Sequence, residues 1–434
     1  MPPNTFHERI GAAIMEKLAI IGTGIAGMGA AWFLHKDYEI TVFERNDYVG
    51  GHTNTISLKE EGADIHIDTG FMVFNNVTYP NLTKLFHVIE APIKKTEMSF
   101  SVQHRPTGLE YSGSGLNGLF AQRRNILNPS FARMLFQINR FNSECLEVLE
   151  GEKYTGYTLA DYCKEKNYGK SFLDKYLIPM SAAVWSSPRE EMLKFPARTL
   201  IGFFKNHGFL GLDTQHQWFT VVDGSRSYRE KLIAPFKDQI HISSGVKEVR
   251  RVHDKIEIRT ANSEPQYFDK VIFASHADET LRMISDPTAA ETHLLKPFKY
   301  QLNKAVLHTD RSIMPANKKV WSSWNYRIEH KQDGIKASTI YYMNRLQHVS
   351  KKNDYFVSIN DPGNVAEDKI IRTIDYDHPL FNLEAIESQR WLHLLNRQNN
   401  NTFFCGSYFK HGFHEDAFTS AVQLCQLLKK DLVW

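Results

Sequence analysis

The run Leu18–Glu44, LAIIGTGIAGMGAAWFLHKDYEITVFE, constrains the fold of this 434-residue chain more than any other stretch. It reads as strand, glycine-rich turn, helix and strand, and it ends on an acid. Gly22, Gly24 and Gly27 form G-x-G-x-x-G directly after the apolar run Leu18–Ile21. The first glycine permits a tight turn. The second lets a pyrophosphate approach the backbone, and the third lets the helix lie close on the strand. Ile25 and Ala26 open that helix, where free N–H groups and the helix dipole face the phosphates. Glu44 follows the second strand, Glu39–Phe43, and stands 22 residues after Gly22. A carboxylate there accepts hydrogen bonds from an adenosine ribose. Together these features specify a dinucleotide site in an α/β, Rossmann-like domain.

The length suits two or three domains. A formal net charge of +3 excludes nucleic acid as the expected partner and leaves a weak attraction to an anionic membrane surface. No apolar run approaches the roughly 18 residues of a membrane span. Cys145, Cys163, Cys405 and Cys425 are widely spaced and form no C-x-x-C, which suits a reducing cytoplasm rather than a disulfide framework or a zinc site. His411 and His414 make no metal site on their own. The start, MPPNTFHERIGAAI, lacks the apolar core of a signal peptide and reads as an extension over residues 1–14. A cytoplasmic protein is expected, with contact to the inner membrane face as an option.

Beyond Glu44 come Arg45 and the paired Gly50-Gly51, then His52 and Thr53, a second loop suited to lie against a flat ligand or phosphate. Ile65–Gly70 reads as a strand ending in a turn. Residues 80–220 read as a helical, substrate-facing insertion, with long patterns such as Phe131–Leu149 and Leu159–Lys166. From Gln239 the segments QIHIS, VKEVRRV, KIEIRT and YFDKVIFAS read as a meander returning to the main sheet. Asn303–His308, Lys319–Tyr326, Ala337–Met343 and Phe356–Ile359 read as antiparallel strands beside the substrate. The end reads as a strand, a glycine turn and a long helix.

These motifs, in this order, resemble the flavin-containing amine oxidase superfamily, which includes monoamine oxidases, protoporphyrinogen oxidase and carotenoid desaturases. The resemblance rests on the G-x-G-x-x-G with Glu44 and on Gly50-Gly51-His52-Thr53. It also rests on the C-terminal run Cys405-Gly406, Gly412-Phe413-His414-Glu415-Asp416-Ala417 and Ser420-Ala421. More particular runs include Asp68-Thr69-Gly70-Phe71-Met72-Val73-Phe74-Asn75 and Asn303–Asp310. They resemble a bacterial amine-oxidase-like branch associated with cyclopropane and methylated fatty acid synthesis. Two positions depart from the superfamily pattern: His52 stands where an arginine is usual, and Asp416 where a glycine is usual.

The resemblance implies an α/β, glutathione-reductase-like FAD domain from residues 15–90, 221–294 and 396–434. A mixed α+β substrate domain would come from 91–220 and 295–395. It implies noncovalent FAD, since no cysteine is placed to tether the ring. FAD rather than NAD is favoured by the Gly50-Gly51 loop and by the closure through Gly406, Gly412, Phe413, His414 and Glu415. The helix starting near Phe413 would aim its N-terminus at the flavin or the pyrophosphate. By position, Val246 lies on the adenine and Ala274 by the pyrophosphate, or both are sheet core. Asp68 and Thr69, before Gly70 and Phe71, bond the ribityl chain or flavin edge, or Asp68 caps a turn. Lys304 is the catalytic candidate, a lysine holding water near the flavin, or else a solvated strand residue. His308 and Asp310 share its face if the strand is continuous. Trp321, Trp324, Tyr326, Tyr341 and Tyr342 are core or wall an apolar channel.

The expected function is an FAD-dependent oxidoreductase acting on a small-molecule or lipid substrate, with a fatty acyl chain favoured through the branch resemblance. The alternatives are an amine or polyamine oxidase, an isoprenoid desaturase or isomerase, and a non-redox flavin-binding partner of a fatty acid methyltransferase. A helical face in 115–150 carries Phe120, Arg123, Arg124, Phe131, Arg133, Leu135, Phe136 and Arg140. It packs on the core as a solvated helix or touches a membrane surface.

Overall fold

Five parallel strands set the frame for the site. The computed structural model describes residues 15–434 apart from 212, 213, 262, 333 and 399, so the expected extension over 1–14 lies outside the described residues. Lys17–Ile21 sits at the centre of the sheet, between Glu39–Phe43 and Lys270–Phe273, with Ile240–His241 and Thr402–Phe404 at the edges. Every pairing is parallel, and Ile21 stands level with both Phe43 and Phe273, and Phe273 with Phe404. The carboxyl ends of the strands are therefore flush. Neighbours diverge on the two sides of Lys17–Ile21, so the crevice above its end is where an open α/β sheet binds ligands.

The helix Ile25–Leu34 is buried on nearly every side. It is sandwiched between the sheet and the C-terminal helix His414–Leu428, and two glycines make this possible. A Cβ on Gly27 would stand 1.9 Å from the Gly22 carbonyl oxygen, and one on Gly29 would stand 2.8 Å from the Phe418 ring.

A second sheet of seven strands faces the first across the cavity. Its order is Ile370–Leu380, Lys299–His308, Phe356–Ile359, Gly334–Tyr342, Trp324–Lys331, Phe100–His104 and Leu109–Ser112. All its pairs are antiparallel except Trp324–Lys331 with Phe100–His104. Helices Pro129–Glu144, Ile178–Trp185 and Ala197–Asn206 belong to the intervening segment.

Several sequence expectations need correction. The stretch 80–220 is not purely helical: it also holds Ile93–Thr96, Phe100–His104, Leu109–Ser112 and Trp218–Val221. The last three are four- and five-residue strands, largely buried on both faces, so they show no alternation that a sequence pattern can report, and Ile93–Thr96 is too short to show one. Ile240–His241 leaves the meander and pairs with Val42 and Phe43 of the parallel sheet. The expected strand Lys319–Tyr326 begins only at Trp324, because Asn317 caps a 3-10 turn over Lys318–Val320. The eleven-residue strand Ile370–Leu380 was not foreseen, and it supplies cavity residues.

Candidate active site

A cavity of about 590 Å³ runs from the crevice of the parallel sheet to the inner face of the seven-stranded sheet. One end is built from backbone. Gly22, Thr23, Gly24, Ile25, Ala26, Glu44, Arg45, Gly51, Ala274 and Gly406 line it. A Cβ on Gly24 would meet nothing within 4 Å, and one on Gly51 would stand 3.5 Å from the Gly24 Cα. The two glycine loops thus face each other across open space. The start of Ile25–Leu34 carries no side-chain cap and no acid in its first turn, leaving its N–H groups and dipole to an anionic guest. The Glu44 carboxylate lines the same end. It accepts the Thr23 N–H at 3.1 Å, the Thr23 hydroxyl and the Asn46 N–H at 2.9 Å. Thr23 Oγ1 in turn accepts the Gly50 N–H at 3.0 Å. Thr23 carries no role in the motif spacing, yet it ties the acid to both glycine loops. A glycine cradle, an uncapped helix start and an oriented carboxylate fit a dinucleotide.

Val246, Gly70, Phe71, His52, Gly412, Phe413 and His414 also line the cavity. Six other expected cofactor residues do not, because each builds the wall from behind. Gly27 serves the helix contact described above. Gly50 forms a turn at φ +122° in which a Cβ would strike the Thr53 carbonyl oxygen at 2.6 Å. Thr53 Oγ1 bonds Tyr228 Oη at 2.5 Å and His414 Nε2 at 3.1 Å. Asp68 is fully enclosed and accepts from Thr55 Oγ1, Ser225 N–H, Ser225 Oγ and Gln347 Nε2. Burial raises its carboxyl above the ordinary range. Thr69 Oγ1 bonds the Tyr376 hydroxyl at 2.8 Å and the Asn54 carbonyl oxygen. Glu415 accepts the N–H groups of Asn81 and Leu82, capping the start of Pro80–Val88.

The C-terminal helix also departs from expectation. Asp416 accepts the N–H groups of Phe413 and His411, so the helix start already holds its own carboxylate. Burial pushes that carboxyl up to about 6. A helix dipole reserved for the cofactor is therefore not what this terminus offers. The chain presents rings instead. His414 stacks on Phe71 at 4.0 Å, and His52 stacks on Tyr376 at 4.7 Å and on His378 at 5.2 Å. His52 Nε2 is buried without a partner among the described residues. Burial lowers all three imidazoles, His378 to about 4 and His414 to about 3, so they are neutral near pH 7.

The other end of the cavity is aromatic. Tyr79, Met98, Val184, Trp185, Phe203, His207, Phe209, Trp218, Trp324 and Tyr341 line it, from segments far apart in sequence. Phe203 lies between Phe413 at 4.9 Å and His207 at 3.8 Å, stacked on both. The indole N–H groups of Trp218 and Trp324 are buried without partners among the described residues. Among the described residues the lining of this end includes no carboxylate, and the acids along the cavity are Glu44, Glu279 and Asp377. His207 Nδ1 donates to the Phe203 carbonyl oxygen at 2.9 Å, which leaves Nε2 as the acceptor of a neutral ring. Burial holds this imidazole at about 4.

Of the five aromatics expected near the substrate, only Trp324 and Tyr341 line the cavity. Tyr326 is buried in the main core, while Trp321 and Tyr342 pack on the small core of Ile313, Met314, Ile340, Phe356 and Val365. Lys304 is a correction. It is exposed and does not line the cavity. Successive strand residues face opposite ways, and Asn303 is the one that donates to His378 Nδ1, at 2.8 Å. His308, on the alternate face, bonds Ser358 Oγ and stacks on Phe356. Asp310 accepts the N–H groups of Ser312 and Ala366.

His276, Glu279 and Asp377 come within 4.8 Å of one another beside Arg45, a cluster the sequence did not reveal. Glu279 pairs with Arg45, and burial lowers the His276 imidazole, so one of the two carboxylates has a cationic partner there. All four cysteines are buried free thiols.

The geometry agrees with what comparison finds. The family of flavin containing amine oxidoreductases matches residues 25–355, more than half of the chain. A 1-hydroxycarotenoid 3,4-desaturase from Flavobacterium sp. (strain P99-3) is 36% identical over 98 residues, 22% of this chain and 18% of that protein. The fold is shared with a putative protoporphyrinogen oxidase from Exiguobacterium sp. 255-15 (TM-score 0.66, 14% identity, 96% of this chain and 99% of that one). It is shared equally with a CLA-producing fatty acid isomerase from P. acnes (TM-score 0.66, 14% identity, 96% and 99%). Cyclohexylamine oxidase from Brevibacterium oxydans IH-35A aligns at TM-score 0.65 with 12% identity, over 96% of this chain and 100% of that one. The chain thus belongs to the flavin-containing amine oxidoreductase family.

Proposed function

We propose that the protein binds FAD noncovalently and oxidises a fatty acyl chain. The observation that carries this reading is the aromatic end of the cavity, which is apolar and, among the described residues, has no carboxylate in its lining. An amine substrate is cationic and would be desolvated there without a counter-charge, at a cost of several kcal/mol. A hydrocarbon chain gains from the same burial, about 0.8 kcal/mol for each CH₂.

The glycine end would hold the pyrophosphate, Glu44 the adenosine ribose, and Gly412 with Phe413 the ring system. FAD, when bound, supplies the acceptor for a hydride. The chain's own residues do the rest. Phe203, Trp185, Trp218 and Phe413 exclude water and orient the chain. His207 accepts the proton at Nε2, its neutral form fixed by the bond from Nδ1 to Phe203.

Acid precipitation tests the cofactor: free FAD in the supernatant supports the reading, and colour retained in the pellet contradicts noncovalent binding. Mass analysis of acyl chains after incubation with phospholipid vesicles tests the reaction. Chains short of one hydrogen molecule are expected. Unchanged lipid together with consumption of simple amines would overturn the substrate.

A further inference from the structure

Four large apolar side chains are exposed on one stretch of the substrate-facing segment: Leu127 at 88%, Leu116 at 74%, Phe136 at 66% and Ile126 at 58%. They belong to three consecutive elements, Gly115–Leu119, Arg123–Leu127 and Pro129–Glu144. These elements form one body. Phe120 and Phe131 meet edge to face at 5.9 Å, and Arg123 donates back to Asn117 Oδ1 and to the Phe120 carbonyl oxygen. Arg124 donates to the Gly108 carbonyl oxygen, tying in the turn that carries Arg105. The apolar residues of the face anticipated from sequence mostly turn inward: Phe131 is buried, and Phe120 and Leu135 pack on the core. Phe136 alone of that set points out, joined by Leu116, Ile126 and Leu127.

The charge on this body is mostly of one sign. From Met98 to Glu144 the sequence holds Arg105, Arg123, Arg124, Arg133 and Arg140 against two carboxylates, Glu110 and Glu144, and Glu144 pairs with Arg140 at the far end of the helix. Glu110 is buried and accepts the N–H groups of Ala316 and Asn317, so it offers nothing to the surface. Arg105, Arg123, Arg124 and Arg133 are exposed. On the rest of the chain charges are mixed, and the whole chain carries a net of only +3. Exposed leucine, isoleucine and phenylalanine ringed by arginine and clear of acid match a surface of anionic headgroups over hydrocarbon.

We propose that residues 105–136 dock the protein on an anionic bilayer, with Leu116, Ile126, Leu127 and Phe136 entering the headgroup boundary and the four arginines meeting lipid phosphates. This rests on the acyl-chain reading, which requires a substrate held in lipid, and it names where the protein meets that lipid. No helix of the described residues is long and apolar enough to cross a membrane, so attachment at this face would be peripheral.

The test is sedimentation of the flavin-loaded protein with phosphatidylglycerol vesicles, with phosphatidylcholine vesicles as the neutral control. Binding to the anionic vesicles is expected, weakened in about 0.5 M salt where screening is short-ranged. Each arginine near such a surface contributes roughly fivefold in partition, so R123A/R124A/R133A is expected to lose about a hundredfold. The pair L127S/F136S is expected to bind more weakly at every salt concentration. Flavin content and the visible spectrum, unchanged in both variants, show that the fold is intact. Failure of the native protein to sediment, or equal sedimentation of the triple variant, overturns the proposal. So does a dimer in gel filtration that L127S/F136S dissociates, because the face would then meet a second copy. Detergent-solubilised lipid separates the two readings. If it is oxidised while vesicles are not bound, docking alone falls; if vesicles are bound and no lipid is ever oxidised, the substrate reading falls.

Discussion

The two ends of the cavity are made in opposite ways. The glycine end is nearly all backbone, drawn from the ends of parallel strands, and its geometry follows from where side chains are absent. The aromatic end is all side chain. It is assembled from Tyr79, Met98, the helix ending at Trp185, the helix carrying Phe203, and the strands Trp218–Val221, Trp324–Lys331 and Gly334–Tyr342. The first kind of site tolerates almost no added atom, whereas the second can change occupant by exchanging rings. That is consistent with one fold serving proteins described as a carotenoid desaturase, a fatty acid isomerase and an amine oxidase.

The sharpest way to break this comparison is to add a side chain at the glycine end. Gly27→Val would drive a side chain into the Gly22 carbonyl oxygen, 1.9 Å from the first added atom. A loss of about 3 kcal/mol or more is expected, with protein recovered colourless or insoluble. Visible absorbance and a melting curve read this directly. Trp218→Ala, at the other end, should leave flavin content intact and impair only reduction of the flavin by substrate.

His207→Phe keeps the ring stack on Phe203 and removes the acceptor. Reduction by substrate should slow by about a hundredfold, with flavin affinity unchanged. Stopped-flow traces of flavin absorbance would show it, and equal rates would exclude His207 from proton transfer. Glu44→Gln replaces a charged acceptor by a neutral one. Flavin affinity should fall by roughly tenfold to a hundredfold, as for a charge-assisted hydrogen bond of about 1.5–3 kcal/mol. Fluorescence titration of the flavin-free protein measures it.

A pH series separates the ends more gently. His207, His378 and His411 are held at about 4 and His414 at about 3, against 6.5 for an ordinary imidazole. Between these values the unfolded chain binds more protons than the native one. Stability should therefore fall as pH drops from about 6.5 toward 4, by at most about 1.4 kcal/mol per pH unit per histidine. Asp416 acts in the opposite sense. Its carboxyl, raised from 3.8 to about 6, favours the native state at low pH and loses that contribution as pH rises through about 6. Four imidazoles outweigh one carboxyl, so the melting temperature should decline on the acid side. His414→Gln should flatten the slope. The smallest effect is expected from Lys304→Met, which lies outside the cavity and should change neither flavin content nor rate.

How much of this was legible in the sequence follows from the same contrast. Gly22, Gly24, Gly27 and Glu44 lie within one strand–helix–strand unit, so their spacing alone places them. The roles of Gly50, Thr53, Asp68, Thr69 and Glu415 were misread because a hydrogen bond to a distant partner leaves no trace in local spacing. Asp68 meets Ser225 and Gln347, and Glu415 meets Asn81 and Leu82. Lys304 was misplaced by a single residue of strand phase, since Asn303 takes the inward position. The aromatic end was mostly invisible: Phe203 and His207 look like any amphipathic helix until their neighbours are known.

The central claim is tested most directly by the visible spectrum of the purified protein under anaerobic conditions. It would be recorded before and after addition of phospholipid with unsaturated or methyl-branched chains. The account predicts a flavin spectrum that bleaches on addition of lipid. A flavin that stays oxidised with those lipids and bleaches with an amine would contradict it, and would mean that the aromatic end accepts a cation its lining does not balance.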